Sequence, residues 1–282
     1  MKVLKIIIAV LLALNLLASA GLAMGSVAAG RAISETAIEK AITKTGAVDE
    51  LTGRIIAQRT VNMGGQYGST MQTILKSDAM TDFFTEYTAK ALQSQVYGVQ
   101  CEEIGSDDLN AAFSRGTDEC IAEGSISMGS NERLIFDTAL NTAMPILTEG
   151  INYVMTQMNL TSFIDEDTAE YMETARFLTS GKVRYGSAII AIVICIILIV
   201  LFGGGMAGFV WSGVCILLMA AIFFIMSIML EGTMEASAGE IALSTRMMYV
   251  MVGEGLSFAG IGGGIVGAAM IVLRGIIKAI FR

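Results

Sequence analysis

Histidine is absent from this sequence of 282 residues, and proline occurs only once, at Pro145. Histidine is the commonest general base and a frequent metal ligand, so its absence excludes most hydrolase mechanisms and most zinc sites. Proline interrupts helices because it lacks a backbone N–H, so a chain with a single proline favours long helices. We therefore expect an all-helical protein that is not an enzyme and that uses no metal or other cofactor.

The sequence also lacks a basic patch, because its 18 lysines and arginines form no cluster and are outnumbered by 26 acids. Binding to nucleic acid requires a basic surface, so nucleic acid is not an expected partner. Between Arg31 and Arg184 there are 22 acidic and 12 basic residues, whereas the two flanking segments are strongly apolar. This asymmetry predicts one part embedded in a lipid bilayer and one acidic part in water.

The N-terminal segment 1–30 begins with Lys2 and Lys5 and continues without charge from Ile6 to Gly30. About 20 helical residues span the hydrocarbon core of a bilayer, so this run is long enough to be transmembrane helix 1. A basic start followed by an apolar stretch and small residues is equally typical of a secretory signal peptide. The segment is therefore predicted to be a signal anchor or a cleaved signal peptide, and either one sends the following domain outside.

A second uncharged run extends from Tyr185 to Leu230 and contains 46 residues. As a single helix it would be about 69 Å long. The hydrocarbon core is only about 30 Å thick. Three consecutive glycines at 203–205 disfavour helix and permit a tight turn. The run 185–230 therefore predicts a transmembrane hairpin with helices at 185–202 and 206–230.

A polar loop at 231–246 separates the hairpin from the segment 247–282, which is predicted to contain transmembrane helix 4 and a short basic tail. Lysine and arginine concentrate on the cytoplasmic side of membrane proteins. The basic N-terminus and the basic tail therefore predict a multi-pass cell-membrane protein with both termini in the cytoplasm. Lys182 and Arg184 oppose this orientation, because they would lie outside.

The acidic segment 31–184 has helical periodicity and no useful run of strand-type alternation. Its longest periodic stretch begins at Asn131, and its apolar residues are Leu134, Ile135, Leu140, Met144, Leu147, Ile151, Met155 and Met158. Pro145 is expected to bend or restart this helix. About 150 residues are enough for one compact core. The segment is therefore predicted to be a helical extracytoplasmic domain.

Two of the four cysteines, Cys101 and Cys120, lie in this domain. Thiols outside the cytosol usually oxidise. A bridge between them would close a loop of about 20 residues and stabilise the fold by about 3 kcal/mol. We predict this disulfide, with free or redox-active thiols as the alternative. Cys195 and Cys215 lie in apolar spans and are expected to be small packing residues.

Seven acids flank the predicted disulfide loop, and together they could in principle bind calcium. They are Glu102, Glu103, Asp107, Asp108, Asp118, Glu119 and Glu123. No EF-hand pattern is present, and two of these acids suit the first turn of a helix. A solvated acidic surface is therefore the favoured interpretation, with a cation site as the alternative.

Glu254 is the one acid within the apolar run of the fourth span. A carboxylate inside a membrane is a candidate ion or proton site. Counting back from Arg274 places it about 30 Å away, at the opposite interface, where it could reach water. Glycines at helical spacing predict close helix packing, within the four-span bundle or between subunits. They are Gly21, Gly25, Gly260, Gly263, Gly264 and Gly267.

Two classes of function remain after these exclusions. The first is an integral membrane protein whose helical outer domain binds or senses a partner while its spans anchor and assemble it. The partner would be a second copy of the chain or another membrane protein, and the spans would contact the lipid bilayer. The alternative is a subunit of an oligomeric channel or transporter that uses the glycine-rich last span and Glu254. A membrane enzyme is a distant third, because no catalytic spacing is evident.

Overall fold

The computed structural model of the chain describes residues 2–57, 66–97, 103–157, 174, 176–202, 207–236 and 243–280. Every regular element in these ranges is a helix, which confirms the all-helical prediction. In chain order the elements are α1 (Lys2–Ala32), α2 (Glu35–Thr45), α3 (Ala47–Ala57), α4 (Gln66–Leu75), α5 (Asp78–Tyr97), α6 (Ser106–Ala122), α7 (Ser130–Gln157), α8 (Gly181–Leu201), α9 (Ala207–Ala236) and α10 (Leu243–Ile280).

The helices form two compact units that are described separately below. The membrane unit consists of Met1–Ala37, Ala169–Gly239 and Met248–Arg282. The second unit consists of Ile38–Thr168 and Glu240–Met247. It is called the polar unit here, because it contains most of the acidic residues.

Four helical segments of the described chain are long and apolar enough to cross a bilayer, which confirms the predicted number of candidate spans. They lie in the membrane unit, except for the first three residues of the fourth segment, 245–247. The segments are Lys5–Ala32, Gly181–Leu201, Ala207–Met234 and Thr245–Ile280. The helix of the second span ends at Leu201 and that of the third begins at Ala207, and residues 203–206 lie outside the described residues. The hairpin helices therefore end and begin within a few residues of the predicted bounds.

Apolar packing joins the spans of the membrane unit. Leu16 of α1 is completely buried and packs with Ile194 and Leu198 of α8 and with Cys215 of α9. Further along α1, Met24 and Ala28 form a second buried cluster with Ala220 of α9 and Ala259 of α10. In this unit α1 is thus an integral packing element against the other spans.

Much of the predicted polar loop 231–246 is helical. Helix α9 continues to Ala236, and α10 begins at Leu243, so that only 237–242 remains outside the described residues. Alanine, methionine, leucine and glutamate favour helix, which explains why both helices extend beyond their apolar runs. The first turn of α10 belongs to the polar unit, whereas its residues from Met248 onward belong to the membrane unit.

The polar unit has a core of fully buried aromatic and aliphatic side chains from α2 to α7. Phe84 of α5, Phe113 of α6 and Phe136 of α7 are its largest members. Helix α6 approaches the turn after α4 so closely that a methyl group added at Gly116 would lie 2.5 Å from the hydroxyl oxygen of Ser77. Glycine at this position is therefore required by the close packing of the two segments.

Polar side chains at helix ends join neighbouring helices of the polar unit. A carboxylate oxygen of Glu119 on α6 accepts a hydrogen bond of 3.0 Å from the backbone N–H of Ala79. This N–H is one of the unpaired donors in the first turn of α5, so Glu119 caps that helix from a neighbouring one. Arg246, in the first turn of α10, forms an ion pair of 2.9 Å with Glu50 of α3.

Helix α7 differs from its prediction in two ways. The helix runs without interruption from Ser130 to Gln157, so it does not restart at Pro145, and the bend there stays a prediction. Pro145 is exposed, so the carbonyl that its missing N–H leaves unpaired can be hydrated by water. The helix also begins before Asn131, where a carboxylate oxygen of Glu132 accepts a hydrogen bond of 2.9 Å from the N–H of Gly129.

Candidate functional site

The outward face of α7 carries the exposed apolar side chains of the polar unit. Four large apolar side chains are exposed in the part of this unit that the structure describes, and all four lie on this helix. They are Leu134, Ile135, Ile146 and Tyr153, which are 68%, 58%, 64% and 55% exposed. Single exposed apolar residues are common on protein surfaces, whereas their restriction to one helix marks a candidate interaction surface.

Three of these side chains share one line along the helix. An α-helix has 3.6 residues per turn, so Ile135, Ile146 and Tyr153 project within about 20° of each other around the axis. They extend over about 27 Å of helix length. The exposed Thr142 lies on the same line. We call Ile135, Thr142, Ile146 and Tyr153 the α7 stripe; Leu134 projects about a quarter turn away from it.

The spacing along the α7 stripe is the spacing of a helix-pairing surface. Together with the intermediate positions Ala139 and Glu149, its residues alternate in steps of four and three. Steps of this kind form the seam of a coiled coil, in which side chains of one helix fit between side chains of another. Glu149, which is exposed, is the only charged residue at a seam position.

An open cleft of about 680 Å³ adjoins the C-terminal half of the α7 stripe. Its lining includes Tyr153 and the two carboxylates of Glu149 and Glu103. Asn152 also lines it, and its side chain accepts a hydrogen bond from the N–H of Ile104 and donates one to the carbonyl of the same residue, each 3.1 Å long. These two hydrogen bonds hold the segment before α6 against α7. The backbone next to Glu103 is therefore held in place, and Glu149 lies within the helix α7 itself.

Arg133 joins α7 to α6 at the other end of the helix. Its guanidinium group donates to Asp137 at 2.9 Å and pairs with Asp118 at 3.2 Å. Arg133 is only 18% exposed and is the only base on α7. Because Arg133 is already paired with these two carboxylates, α7 has no other base that could pair with an acid on its outward side.

The sequence pattern missed this surface because apolar residues occur on both sides of α7. Leu134 and Ile135 were expected in the same periodic set as Leu140 and Met144, but both are exposed. The buried side is formed instead by residues such as Phe136, Leu140 and Leu147. A helical wheel would have separated the two sides, since the stripe lies about 140° from the centre of the buried side.

The structure does not support the predicted Cys101–Cys120 disulfide. Cys120 carries a free thiol that is 3% exposed and donates a weak hydrogen bond of 3.9 Å to the carbonyl of Thr73. Burial, together with the nearby carboxylates of Glu119 and Glu123, raises the pKa of this thiol. Cys101 lies outside the described residues.

Two of the acids around the predicted loop have separate structural roles. Glu119 caps α5, and Asp118 pairs with Arg133. Among the described residues, no group of three or more acids, cysteines or histidines is close enough to hold a metal ion. Glu102 lies outside those residues. The described acids are therefore distributed over the surface of the polar unit.

The glycines that were expected to pack helices lie mostly against neighbouring spans. A methyl group added at Gly260 would lie 3.0 Å from the carbonyl oxygen of Ala220 and 3.1 Å from the backbone nitrogen of Phe224. One added at Gly267 would lie 2.9 Å from the carbonyl oxygen of Gly213. A side chain at either glycine would press on backbone atoms of α9, so α9 and α10 approach each other backbone to backbone.

A methyl group added at any of the remaining four glycines would meet side-chain atoms or nothing, rather than backbone. The nearest atoms to methyl groups added at Gly21 and Gly263 would be the flexible ends of Met219 and Met24, at 2.7 Å and 2.6 Å, and the one at Gly263 would also lie 3.3 Å from the Cβ of Ala220. At Gly25 the nearest atom is a ring carbon of Phe223 at 3.9 Å, which is ordinary contact. At Gly264 nothing lies within 4 Å.

Glu254 is half-buried in the membrane unit, between two glycines that touch other spans. The carbonyl of Gly253 accepts a hydrogen bond of 2.8 Å from the hydroxyl of Ser227 on α9. Gly255 lies directly against the carbonyl of Ala28 on α1. These contacts fix the backbone on either side of the carboxylate.

Arg31 lies in the last turn of α1, close to the contact between Ala28 and Gly255. The carbon at the centre of its guanidinium group lies 5.2 Å from the centre of the Phe258 ring, a cation–π geometry. Its Nε is buried and has no hydrogen-bond partner among the residues that the structure describes. The same end of the bundle therefore contains a partly buried cation and the carboxylate of Glu254.

Comparisons of the chain with protein-family models, with curated protein sequences and with solved structures gave no match.

Proposed function

We propose that the chain is a multi-pass membrane protein whose helical, extracytoplasmic polar unit binds or senses a partner through the α7 stripe. The observation that carries this proposal is the restriction of the exposed large apolar side chains of the described polar unit to α7. Exposing apolar surface to water costs free energy, and this free energy is recovered when a partner covers the surface. The four spans anchor the protein and assemble with other membrane components.

The proposed orientation follows from charge and from the even number of spans. Four crossings return the chain to the side on which it began, so both termini lie on one side of the membrane. The basic residues at both ends favour the cytoplasm for that side. The net negative charge of the segment 31–184 suits the aqueous space outside. Retention of α1 as a signal anchor is supported by its packing, because Leu16 is completely buried against α8.

The test is recovery of a partner from mild detergent with a C-terminal affinity tag on the full chain. We expect a specific membrane or secreted protein to be recovered with the wild-type chain and lost with the double variant Ile146→Ser, Tyr153→Ser. Leu134→Ser is the matched control, because Leu134 is equally exposed but lies off the stripe. If all three chains recover the same proteins, or none, then α7 is not the binding surface.

A second candidate function is a subunit of an oligomeric ion channel or transporter. The observation that favours it is the partly buried guanidinium group of Arg31 at the same end of the bundle as Glu254. Charged groups within spans commonly mark ion or proton pathways. Ion or proton flux through reconstituted vesicles should then appear with the wild-type chain and disappear with Glu254→Gln. Absence of flux in the wild-type chain would contradict this function.

A further inference from the structure

We propose that the partner of the α7 stripe is a cationic amphipathic helix, which pairs its apolar side with the stripe and a lysine or arginine with Glu149. This inference rests on the proposed function, because it identifies the chemistry of the partner that the polar unit binds. A helix lying in an apolar groove or along another helix is a common mode of peptide recognition.

The length and spacing of the stripe fit a helix as the partner. The steps of four and three residues between Ile135, Ala139, Thr142 and Ile146 are those of a coiled-coil seam. A partner helix that lies along the stripe can contact the outward side of α7 over about 27 Å. An extended strand would not match this spacing, because its side chains on one side repeat every two residues.

The charge at the seam selects a basic partner. Glu149 stands between Ile146 and Tyr153, so a helix that covers these two side chains also removes water from its carboxylate. A carboxylate that is buried without a partner costs several kcal/mol. No cation of α7 is available, since its only base, Arg133, is already paired with Asp137 and Asp118. The partner must therefore supply the lysine or arginine.

The cleft beside the stripe strengthens the same preference. Glu103 and Glu149 line one cleft of about 680 Å³, and the Asn152 side chain holds the backbone that carries Glu103. A lysine or arginine on the flank of the partner helix can enter this cleft and contact both carboxylates. Opposite charges that flank an apolar seam set the choice of partner and the orientation of paired helices.

A second copy of the chain fits the same surface poorly. In a parallel pair of α7 helices, Glu149 of one copy would lie opposite Glu149 of the other. In an antiparallel pair centred on the stripe, Glu149 would lie opposite Ala139 and would lack a cation. The excess of acids in the segment 31–184 adds repulsion between the copies.

The experiment uses the full chain in nanodiscs of zwitterionic lipid and two synthetic helical peptides. Each peptide has about three heptads with leucine and alanine at the seam, and the flanking positions are lysine in one peptide and glutamate in the other. Binding is measured by fluorescence anisotropy, with empty nanodiscs as the reference for lipid binding. Carbodiimide cross-linking and peptide mapping then identify which carboxylate meets the lysine.

We expect the lysine peptide to bind at least about tenfold more tightly than the glutamate peptide, a difference of about 1.4 kcal/mol. The double variant Ile146→Ser, Tyr153→Ser and the variant Glu149→Gln should each weaken its binding, and cross-links should map to Glu149 or Glu103. The matched controls are Leu134→Ser for the apolar change and Glu86→Gln, on the exposed surface of α5, for the acidic one. Both should leave binding unchanged.

The outcomes distinguish this inference from the proposed function. Equal binding of both peptides, with loss in the stripe variants, would overturn the basic partner and retain the α7 stripe as a binding surface. Cross-links between two copies through the stripe, with no peptide bound, would identify a second copy and overturn the inference. Binding that is unchanged in every stripe variant, or that equals the binding to empty nanodiscs, would overturn the inference. It would also mean that the α7 stripe is not the peptide-binding surface.

Discussion

The membrane unit and the polar unit expose apolar side chains in different ways. In the membrane unit, α1, α8, α9 and α10 all carry exposed isoleucine, leucine or valine, as expected of helices that contact lipid. In the described part of the polar unit such exposure is confined to α7. Contact with lipid is the proposed explanation of the first pattern, and a bound partner is the proposed explanation of the second. Exposed apolar area is therefore informative only when the surrounding solvent is specified.

The largest expected effect on stability comes from truncating a buried side chain of the polar unit, compared with truncating an exposed one. Phe113→Ala should lower the free energy of unfolding by about 3–5 kcal/mol, because Phe113 is completely buried and its removal leaves a cavity. Ile135→Ala should change it by less than about 0.5 kcal/mol, since Ile135 is exposed. Chemical unfolding of the solubilised chain measures both. A large loss for Ile135→Ala would mean that the stripe is part of a core.

The next effect distinguishes two glycine positions of α10 in the membrane unit. Gly260→Leu should destabilise the bundle by about 1–3 kcal/mol, because the new side chain would meet the backbone of α9. Gly264→Leu is the matched control, since nothing lies within 4 Å of a Cβ atom added at this glycine. Thermal unfolding in detergent measures the difference. Equal behaviour of the two variants would contradict the packing of α9 against α10.

A smaller effect concerns the cap that α6 provides for α5. Glu119→Ala removes the acceptor for the N–H of Ala79 and should cost about 0.5–2 kcal/mol. Glu119→Gln keeps an oxygen acceptor and should cost less. Hydrogen exchange of the first turn of α5 provides the direct readout. Unchanged exchange in Glu119→Ala would show that the contact contributes little.

The smallest effect concerns the reactivity of Cys120. Its pKa is raised, so the folded state disfavours the thiolate, and this contribution to stability is complete below the unfolded-state pKa and is lost as pH rises through the folded-state pKa. In a Cys101→Ser chain, Cys120 should react with iodoacetamide more slowly in the folded than in the unfolded state at about pH 8. Equal rates would contradict its burial.

Mass analysis without reductant tests the disulfide itself. The predicted Cys101–Cys120 bridge would block alkylation of both thiols in the wild-type chain until reductant is added. A free Cys120, as in this structure, would be alkylated slowly without reductant. Peptide mapping separates these thiols from Cys195 and Cys215.

The sequence predicted the spans well because bilayer thickness imposes a one-dimensional limit on an apolar run. The 46 uncharged residues between Tyr185 and Leu230 cannot form one span, so a hairpin was the remaining solution. The same reasoning could not determine where helices end in water, and α9 and α10 extend into the predicted polar loop. Local helix propensity governs such ends, and it is weak compared with packing.

The α7 stripe could not be obtained from periodicity alone. Leu134 and Ile135 match the spacing of the buried residues closely enough to be grouped with them, although only Phe136 next to them is buried. The choice of inward side depends on which helices pack against α7, and that depends on contacts far apart in sequence. Arg133–Asp118 and Asn152–Ile104 are two such contacts.

The most direct test of the account is the side of the membrane on which α7 lies. Single cysteines are introduced as Leu134→Cys, exposed on α7, and as Lys278→Cys, near the end of α10, in chains whose natural cysteines are replaced. We expect an impermeant maleimide to label Leu134→Cys in intact cells and to label Lys278→Cys only after permeabilisation. Labelling of Lys278→Cys in intact cells, with Leu134→Cys protected until the membrane is opened, would contradict it.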